Sequence, residues 1–176
     1  MSEALLIVDV QHDFLPGGAL AVREGDAVLA PIAELARSGR FDLVVATRDW
    51  HPPDHGSFAQ AGGPWPPHCV RDTHGAQLHP HVEPLADAVI DKGREPRADG
   101  YSAFENPALR ALLRERGIEA VTVVGLATDY CVRHTARDAV RDGLRVTIAT
   151  GAVRGIDDEE AAAALRELEE LGAELA

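Results

Sequence analysis

Basic residues are scarce in this 176-residue chain: 17 Lys and Arg stand against 29 Asp and Glu, for a formal net charge of −12 at pH 7. Binding to nucleic-acid phosphates depends on clustered Lys and Arg, so this balance argues against a nucleic-acid partner. An acidic surface by itself favours no function, because it mainly keeps a protein in solution. The charge therefore excludes one class of partner and selects none.

Long apolar runs and cysteines are also few. The apolar run 4–10 is far shorter than the roughly 20 residues of a membrane-spanning helix, and no basic segment precedes it as in a secretory signal. The two cysteines, Cys69 and Cys131, lie far apart. One disulfide could form between them, but they do not resemble the framework of a small secreted domain. We therefore expect a cytoplasmic protein with reduced cysteines and no membrane contact.

What the chain contains instead is a series of short apolar runs that alternate with helix-period segments. This alternation is typical of a parallel α/β sheet, and the length fits one domain over residues 1–176. Strands are predicted at 4–8, 43–47, 88–91, 120–125 and 144–148, with at most a short last strand within 173–176. Helices are predicted at 26–37, at 107–116, along the face of Val132, Ala136, Ala139 and Val140, and from 157 to about 172.

Polar residues follow four of these predicted strands. They are Asp9, Asp49, Lys92 and the turn 128–131. Ligands of open α/β sheets bind at the carboxyl ends of the strands. We therefore expect these residues to meet at one edge of the sheet.

Cys131 is a candidate nucleophile at the start of the helix after the fourth strand. A helix N-terminus lowers the pKa of a thiol, although a lone cysteine is more often a buried structural residue. Asp9 could accept the thiol proton, and Lys92 could hold both ionised groups and favour the thiolate. Three groups of the required types favour the catalytic interpretation over the structural one.

The segment from Trp50 to about residue 81 has no regular pattern, and a loop of this length is usually functional. Asp49 and His51 alternate, so their side chains point the same way in an extended segment. With His68 they could offer one carboxylate and two imidazoles to a divalent metal ion. A polar loop whose histidines face water remains the alternative, because the D-x-H spacing is weak evidence.

Aromatic residues make up only 5% of the chain. Five of them are predicted in loops, where rings usually cover the core but could also hold a small aromatic substrate by stacking. They are Phe14, Trp50, Phe58, Trp65 and Tyr101.

Longer strings carry a family resemblance over nearly the whole chain. They are LLIVDVQHDFLPGGALAV (5–22), TRDWHPPDHGSFA (47–59), WPPHCVRDTHGAQLHP (65–80), DKG (91–93) and VGLATDYCVRHTARDA (124–139). Together they resemble the nicotinamidase/isochorismatase family of cysteine hydrolases. The expected fold is then a three-layer α/β/α domain, isochorismatase-like, with a mostly parallel sheet of five to six strands whose order reverses beside the first strand.

The resemblance also implies roles for individual residues. It implies a catalytic triad of Asp9, Lys92 and Cys131. It implies metal ligation by Asp49, His51 and His68, with His55 near the metal rather than bound to it. It implies a cis peptide at Leu126–Ala127, an oxyanion hole from the N–H groups of Ala127 and Cys131, and enclosure of a pyridine ring by Phe14, Trp65 and Tyr101. The sequence departs from the family pattern at His12, where many members carry Asn.

The activity implied is hydrolysis of nicotinamide to nicotinate and ammonia through a cysteine thioester, with pyrazinamide as a second substrate. One divalent metal ion, zinc first and iron, manganese or cobalt as alternatives, would bind the pyridine nitrogen. A related hydrolase for another small amide and a metal-binding homologue without catalysis remain as alternatives. A homo-oligomer also stays open.

Overall fold

The computed structural model describes all 176 residues, which form a single six-stranded sheet with every neighbouring pair parallel. The strands are β1 (Glu3–Val8), β2 (Leu43–Asp49), β3 (Ala88–Lys92), β4 (Ala120–Leu126), β5 (Arg145–Arg154) and β6 (Glu174–Leu175). The helices are α1 (Leu29–Arg37), α2 (Pro107–Glu115), α3 (Arg133–Arg141) and α4 (Asp158–Glu170). The strand order β3-β2-β1-β4-β5-β6 reverses beside β1, which confirms the predicted topology.

β1 lies at the centre of the sheet because its side chains are apolar on both faces. Leu5 and Ile7 pack into one core cluster with Ile32 of α1. Leu6 packs into the other with Leu109 of α2, and α3 and α4 also contribute to this cluster. The sheet is therefore covered by helices on both faces, as the predicted α/β/α arrangement requires.

Two predicted elements differ from the structure by three residues or more at one end. The helix predicted from residue 26 begins at Leu29, after a short 3₁₀ turn over Gly25–Val28. This start places Pro31 in the first turn, where its missing N–H costs no hydrogen bond. The strand predicted at 144–148 continues to Arg154, because β5 pairs with β4 again after an irregularity between Val123 and Gly125.

The long connection between β2 and β3 contains only short 3₁₀ turns, as the absence of a pattern predicts. We call residues 50–81 the imidazole loop, since it carries His51, His55 and His68. None of the four helices combines the length and the hydropathy that a membrane span requires.

Candidate active site

The carboxyl ends of four neighbouring strands bring together four side chains that we call the charge cluster: Asp9, Asp49, Lys92 and Cys131. The Nζ atom of Lys92 lies 2.7 Å from Oδ2 of Asp9, 2.5 Å from Oδ1 of Asp49 and 3.3 Å from Sγ of Cys131. A carboxylate oxygen of each aspartate and the sulfur of Cys131 lie within 4.8 Å of one another. The sheet therefore joins residues 122 positions apart around one buried ammonium group.

A backbone carbonyl completes the surroundings of Lys92. Nζ donates to the carbonyl oxygen of Gly100 at 2.5 Å. The carboxylate of Glu105 holds this carbonyl in place, because it accepts the N–H groups of Gly93 at 2.7 Å and of Gly100 at 3.2 Å. Gly93 has a φ of 60°, and a Cβ there would lie 2.4 Å from the ring of His51, so the DKG string requires its glycine.

The charge cluster is almost completely buried, and this burial determines its protonation. Burial disfavours the charged form of Lys92, but the charges of Asp49 and Asp9 outweigh that effect and raise its pKa well above the ordinary value. Burial raises the pKa of Asp9, and Lys92 offsets only part of the rise. For Asp49 burial acts in the same direction, but Lys92 and the bond to His51 outweigh it and lower the pKa. Lys92 is therefore a cation, and it stabilises the ionised form of Asp49 more than that of Asp9.

Cys131 is held as a thiol in the resting site. Burial raises its pKa well above the ordinary value, Lys92 opposes the rise, and Asp9 and Asp49 add to it. The sequence expectation that the start of a helix lowers this pKa is therefore wrong for the free protein. Cys131 lies inside a π-helical turn over Thr128–Val132 that precedes α3, and burial is the largest influence on its pKa.

Asp49, His51 and His68 form a second group whose ligand atoms all lie within 4.8 Å of one another. Oδ2 of Asp49 lies 3.3 Å from Nε2 of His51 and 3.9 Å from Nε2 of His68. The Nδ1 atom of His51 pairs with the carbonyl of Gly93 and that of His68 with the carbonyl of Pro66, both at 2.8 Å. A backbone carbonyl accepts a proton from each Nδ1, so in the neutral ring Nε2 carries the lone pair that a metal ion binds.

The remaining histidine of the loop, His55, stacks on His51 with ring centroids 3.9 Å apart. Its Nδ1 pairs with Oγ of Ser57 at 2.7 Å, whereas its Nε2 is buried without a partner. Burial and the neighbouring His51 lower the pKa of His55 to about 4. Phe58, which is fully buried, contacts the rings of His51, His55 and His68. This donor set suits a divalent metal ion, because it offers one carboxylate and two imidazole nitrogens. The unpartnered Nε2 of His55 lies beside them.

Hydrogen bonds join two segments of the imidazole loop to each other and to Asp13, which lies outside the loop. The N–H of His51 donates to the carbonyl of Cys69 at 2.9 Å, and the N–H of Arg71 donates to the carbonyl of His51 at 2.8 Å. Oδ2 of Asp13 accepts the N–H of Cys69 at 2.8 Å. The segment that follows His68 is therefore paired with the main chain of His51 and bound to Asp13.

A small pocket opens between the charge cluster and the imidazole loop. Its lining contains Asp49, His68, Ala127 and Cys131 together with Phe14, Leu20, Trp65, Tyr101, Tyr130 and Ile156. The three rings expected from the sequence, Phe14, Trp65 and Tyr101, all reach this pocket. Nε1 of Trp65 donates to the hydroxyl of Tyr101 at 3.1 Å and so joins the loop to the segment after β3.

Sequence reasoning missed three lining residues. Tyr130 adjoins the nucleophile candidate and packs edge-on against Trp65 with centroids 5.0 Å apart, so its position in the string ATDYC was an available signal. Ile156 had no signal, because it lies in a connection far along the chain. Asp129 brings it to the pocket by accepting the N–H groups of Ile156 and Asp157, each at 3.0 Å. Leu20 lies inside the string over 5–22, but a leucine there carries no chemistry that would mark it as a pocket residue.

The peptide bond between Leu126 and Ala127 is cis, as the resemblance implies. The N–H of Ala127 has no acceptor in the protein, and Ala127 lines the pocket beside Cys131. An N–H group that has no protein acceptor and belongs to a residue beside the nucleophile candidate is suited to hold a substrate oxygen.

Three comparisons with known proteins agree with this geometry. The model of the isochorismatase domain matches residues 3–176. A nicotinamidase of Escherichia coli (strain K12) is 41% identical, with 98% of this chain and 93% of that protein covered. The crystal structure of a pyrazinamidase of Pyrococcus horikoshii in complex with zinc is 44% identical, with 100% and 99% coverage and a TM-score of 0.94. The structure of PnC1 from L. infantum in complex with nicotinate is 42% identical, with 99% and 92% coverage and a TM-score of 0.96.

Proposed function

The chain belongs to the isochorismatase domain family, and on that basis we propose that it hydrolyses nicotinamide to nicotinate and ammonia. The observation that carries this proposal is the single buried ammonium of Lys92 in contact with Asp9, Asp49 and Cys131. A nucleophile, a base and a metal-ligand candidate meet there, and Cys131 and Asp49 also line the pocket with its aromatic rings. The relatives named for nicotinamidase activity and the relative bound to nicotinate support the same substrate.

We assign the proton transfers to Asp9. As Sγ of Cys131 attacks the carboxamide carbon, the carbon–sulfur bond forms, the thiol proton moves to Asp9 and the carbonyl electron pair moves to oxygen. The raised pKa of Asp9 suits a group that must first take this proton and then return it. The returned proton goes to the amide nitrogen, the carbon–nitrogen bond breaks, and ammonia leaves a thioester.

The second half of the reaction reverses these roles. Water attacks the thioester carbon while Asp9 accepts one of its protons, and nicotinate and the Cys131 thiol are released. The N–H groups of Ala127 and Cys131 hold the developing oxyanion in both halves. Lys92 keeps its charge throughout, because its pKa lies far above neutrality, and it stabilises each transient negative charge on sulfur.

Asp49, His51 and His68 would hold one divalent metal ion, and its presence is supported by the donor set and by the zinc-bound relative. We propose zinc, with iron, manganese or cobalt as alternatives that suit the same ligands. Such an ion supplies a Lewis-acid contact for the pyridine nitrogen, directly or through water. Phe14, Trp65 and Tyr101 then enclose the ring and bring the carboxamide to Cys131, and this positioning is worth several kcal/mol.

The relative named as a pyrazinamidase supports pyrazinamide as a second substrate, since this compound keeps both the ring nitrogen and the carboxamide. We place the activity in the cytoplasm, where two free cysteines stay reduced, and in a single domain over residues 1–176.

Ammonia release from a panel of small amides, with and without a chelator, tests the proposal. We expect nicotinamide and pyrazinamide to be hydrolysed and benzamide, which lacks the ring nitrogen, to be a poor substrate. Faster hydrolysis of a ureido compound or an aliphatic amide than of nicotinamide would contradict the proposal and favour a related hydrolase. No hydrolysis of any amide by metal-loaded protein would favour a metal-binding homologue.

A further inference from the structure

Gln11 is a fully buried amide outside the triad and outside the metal-ligand set. Its Nε2 donates to the carbonyl oxygen of Asp49 at 2.8 Å, and its Oε1 accepts the N–H of Asp49 at 2.8 Å. Nε2 also donates to the carbonyl oxygen of Ala76 at 2.9 Å. One side chain thus binds both backbone polar groups of Asp49 and the segment that follows His68.

The sheet explains why Asp49 needs this partner. The N–H of Asp9 donates to the carbonyl of Thr47, so the polar groups of Thr47 face β1. The backbone N–H and C=O of Asp49, two residues later, face the same side. At that level β1 has already ended at Val8, and the chain turns away at Asp9 with a φ of 51°. The amide of Gln11 replaces the missing strand, since it offers one donor and one acceptor as a peptide group does.

The carboxylate of Asp49 serves two sites at once. Oδ1 accepts from Lys92, while Oδ2 faces His51 and His68. A shift of its backbone would therefore move a ligand oxygen away from the two imidazoles. Partners of a metal ligand outside the coordination shell commonly change metal affinity by about 10- to 100-fold.

We propose that Gln11 is a positioning residue that sets the affinity of this site for its divalent metal ion, by holding the backbone of Asp49 as a substitute strand. The inference rests on the proposed ligand set Asp49, His51 and His68. It concerns only the backbone of Asp49, because Gln11 forms no hydrogen bond with the carboxylate.

The test compares Gln11→Met, which keeps the volume and removes all three bonds, with Gln11→Glu, which keeps the shape and removes the two donated bonds. Thr135→Val is the matched control, because Thr135 is also fully buried and its Oγ1 binds a backbone N–H, that of Ala103 at 3.0 Å, away from Asp49. Each metal-free protein is titrated with Zn²⁺ against a competing chelator. Its thermal unfolding and the rate at which iodoacetamide alkylates Cys131 are also measured without metal.

We expect both Gln11 variants to bind Zn²⁺ about 10- to 100-fold more weakly than the wild type. Thr135→Val should keep the wild-type affinity even where its unfolding temperature falls. If Gln11→Met does not fold, Gln11→Glu decides the question.

Zn²⁺ affinity equal to that of the wild type in a folded Gln11 variant would overturn the proposal. So would a loss of affinity in Thr135→Val as large as in the Gln11 variants, since general destabilisation would then explain both. A wild-type protein that binds no Zn²⁺ would instead refute the ligand set itself.

Discussion

The charge cluster and the imidazole loop face the same pocket but are held in place in different ways. Asp9, Asp49 and Lys92 follow or end neighbouring strands, and the pairing of Asp49 with Lys92 continues the sheet register. His68 lies in a segment without regular structure, fixed by hydrogen bonds around Cys69 from Asp13 and His51. Strand pairing thus positions the groups that we assign to bond making, whereas isolated hydrogen bonds to backbone and side-chain groups position the two histidines of the metal-ligand set.

This difference predicts that substitutions in the two regions have different effects. Changes in the charge cluster should affect both the chemistry and the stability of the sheet, because the charges are buried and shared. Changes in the imidazole loop should affect substrate binding first and leave the reactivity of the thiol intact.

The largest effect is expected from Cys131→Ala. No other thiol lines the pocket, so kcat/KM for nicotinamide should fall by about 10⁴-fold or more while the fold is retained. Cys69→Ala is the matched control, because Cys69 is the only other cysteine and is also buried; it should keep most of the activity. Steady-state assays and mass spectrometry of the trapped thioester check both. A thioester on Cys69 would refute the assignment of the nucleophile.

Lys92→Met should come next, with nearly complete loss of activity. Removal of the cation leaves two buried carboxylates without their partner, and the free energy of unfolding should fall by about 3–5 kcal/mol. The pKa of Cys131 should rise further, because Lys92 now lowers it. Urea unfolding and the pH dependence of thiol alkylation measure the two effects.

Arg40→Met provides the comparison, since Arg40 pairs with Glu3 at 2.8 Å at the other end of the sheet and is half exposed. Loss of that ion pair should cost no more than about 1 kcal/mol. A Lys92→Met protein with an unchanged thiol pKa would show that the helical turn alone governs the reactivity of Cys131.

Removal of the metal ion should show the difference between the two regions most directly. The chelated protein should still react with a thiol alkylator, because none of the ligands is the nucleophile, but it should bind nicotinamide more weakly and fail to turn it over. Binding is measured by calorimetry and alkylation by mass spectrometry. Equal affinity of the metal-free and metal-loaded forms for nicotinamide would rule out a contact between metal and substrate, as would full activity after chelation.

The smallest effect is expected from Tyr101→Phe, which removes the hydrogen bond from Trp65 that joins the two regions. A bond of this kind contributes about 0.5–1.5 kcal/mol, so KM should rise by up to about tenfold with little change in kcat. Tyr130→Phe should have a smaller effect, because Tyr130 contacts Trp65 and Tyr101 through its ring, which the substitution keeps. A fall in kcat with unchanged KM in Tyr101→Phe would contradict a role in substrate binding.

Much of this arrangement could be predicted from local sequence. The apolar runs identify the strands, and Asp9, Asp49 and Lys92 follow or end them directly, so parallel topology alone brings them to one edge. The strings around His51 and His68 predict metal ligands where the spacing alone leaves the choice open. The start of α1 was missed by three residues, although Pro31 was available as a signal.

The sequence by itself therefore determined which elements form and which side chains stand at their ends, because hydrophobic periodicity and strand-end position are properties of neighbouring residues. Only the tertiary structure decided how these groups behave. Burial beside two carboxylates makes Cys131 a thiol, and the ending of β1 creates the place that Gln11 fills. The hydrogen bond from the N–H of Ile156 to the carboxylate of Asp129 holds Ile156 at the pocket. Each of these outcomes depends on solvent exclusion or hydrogen bonding between distant segments, which no local pattern encodes.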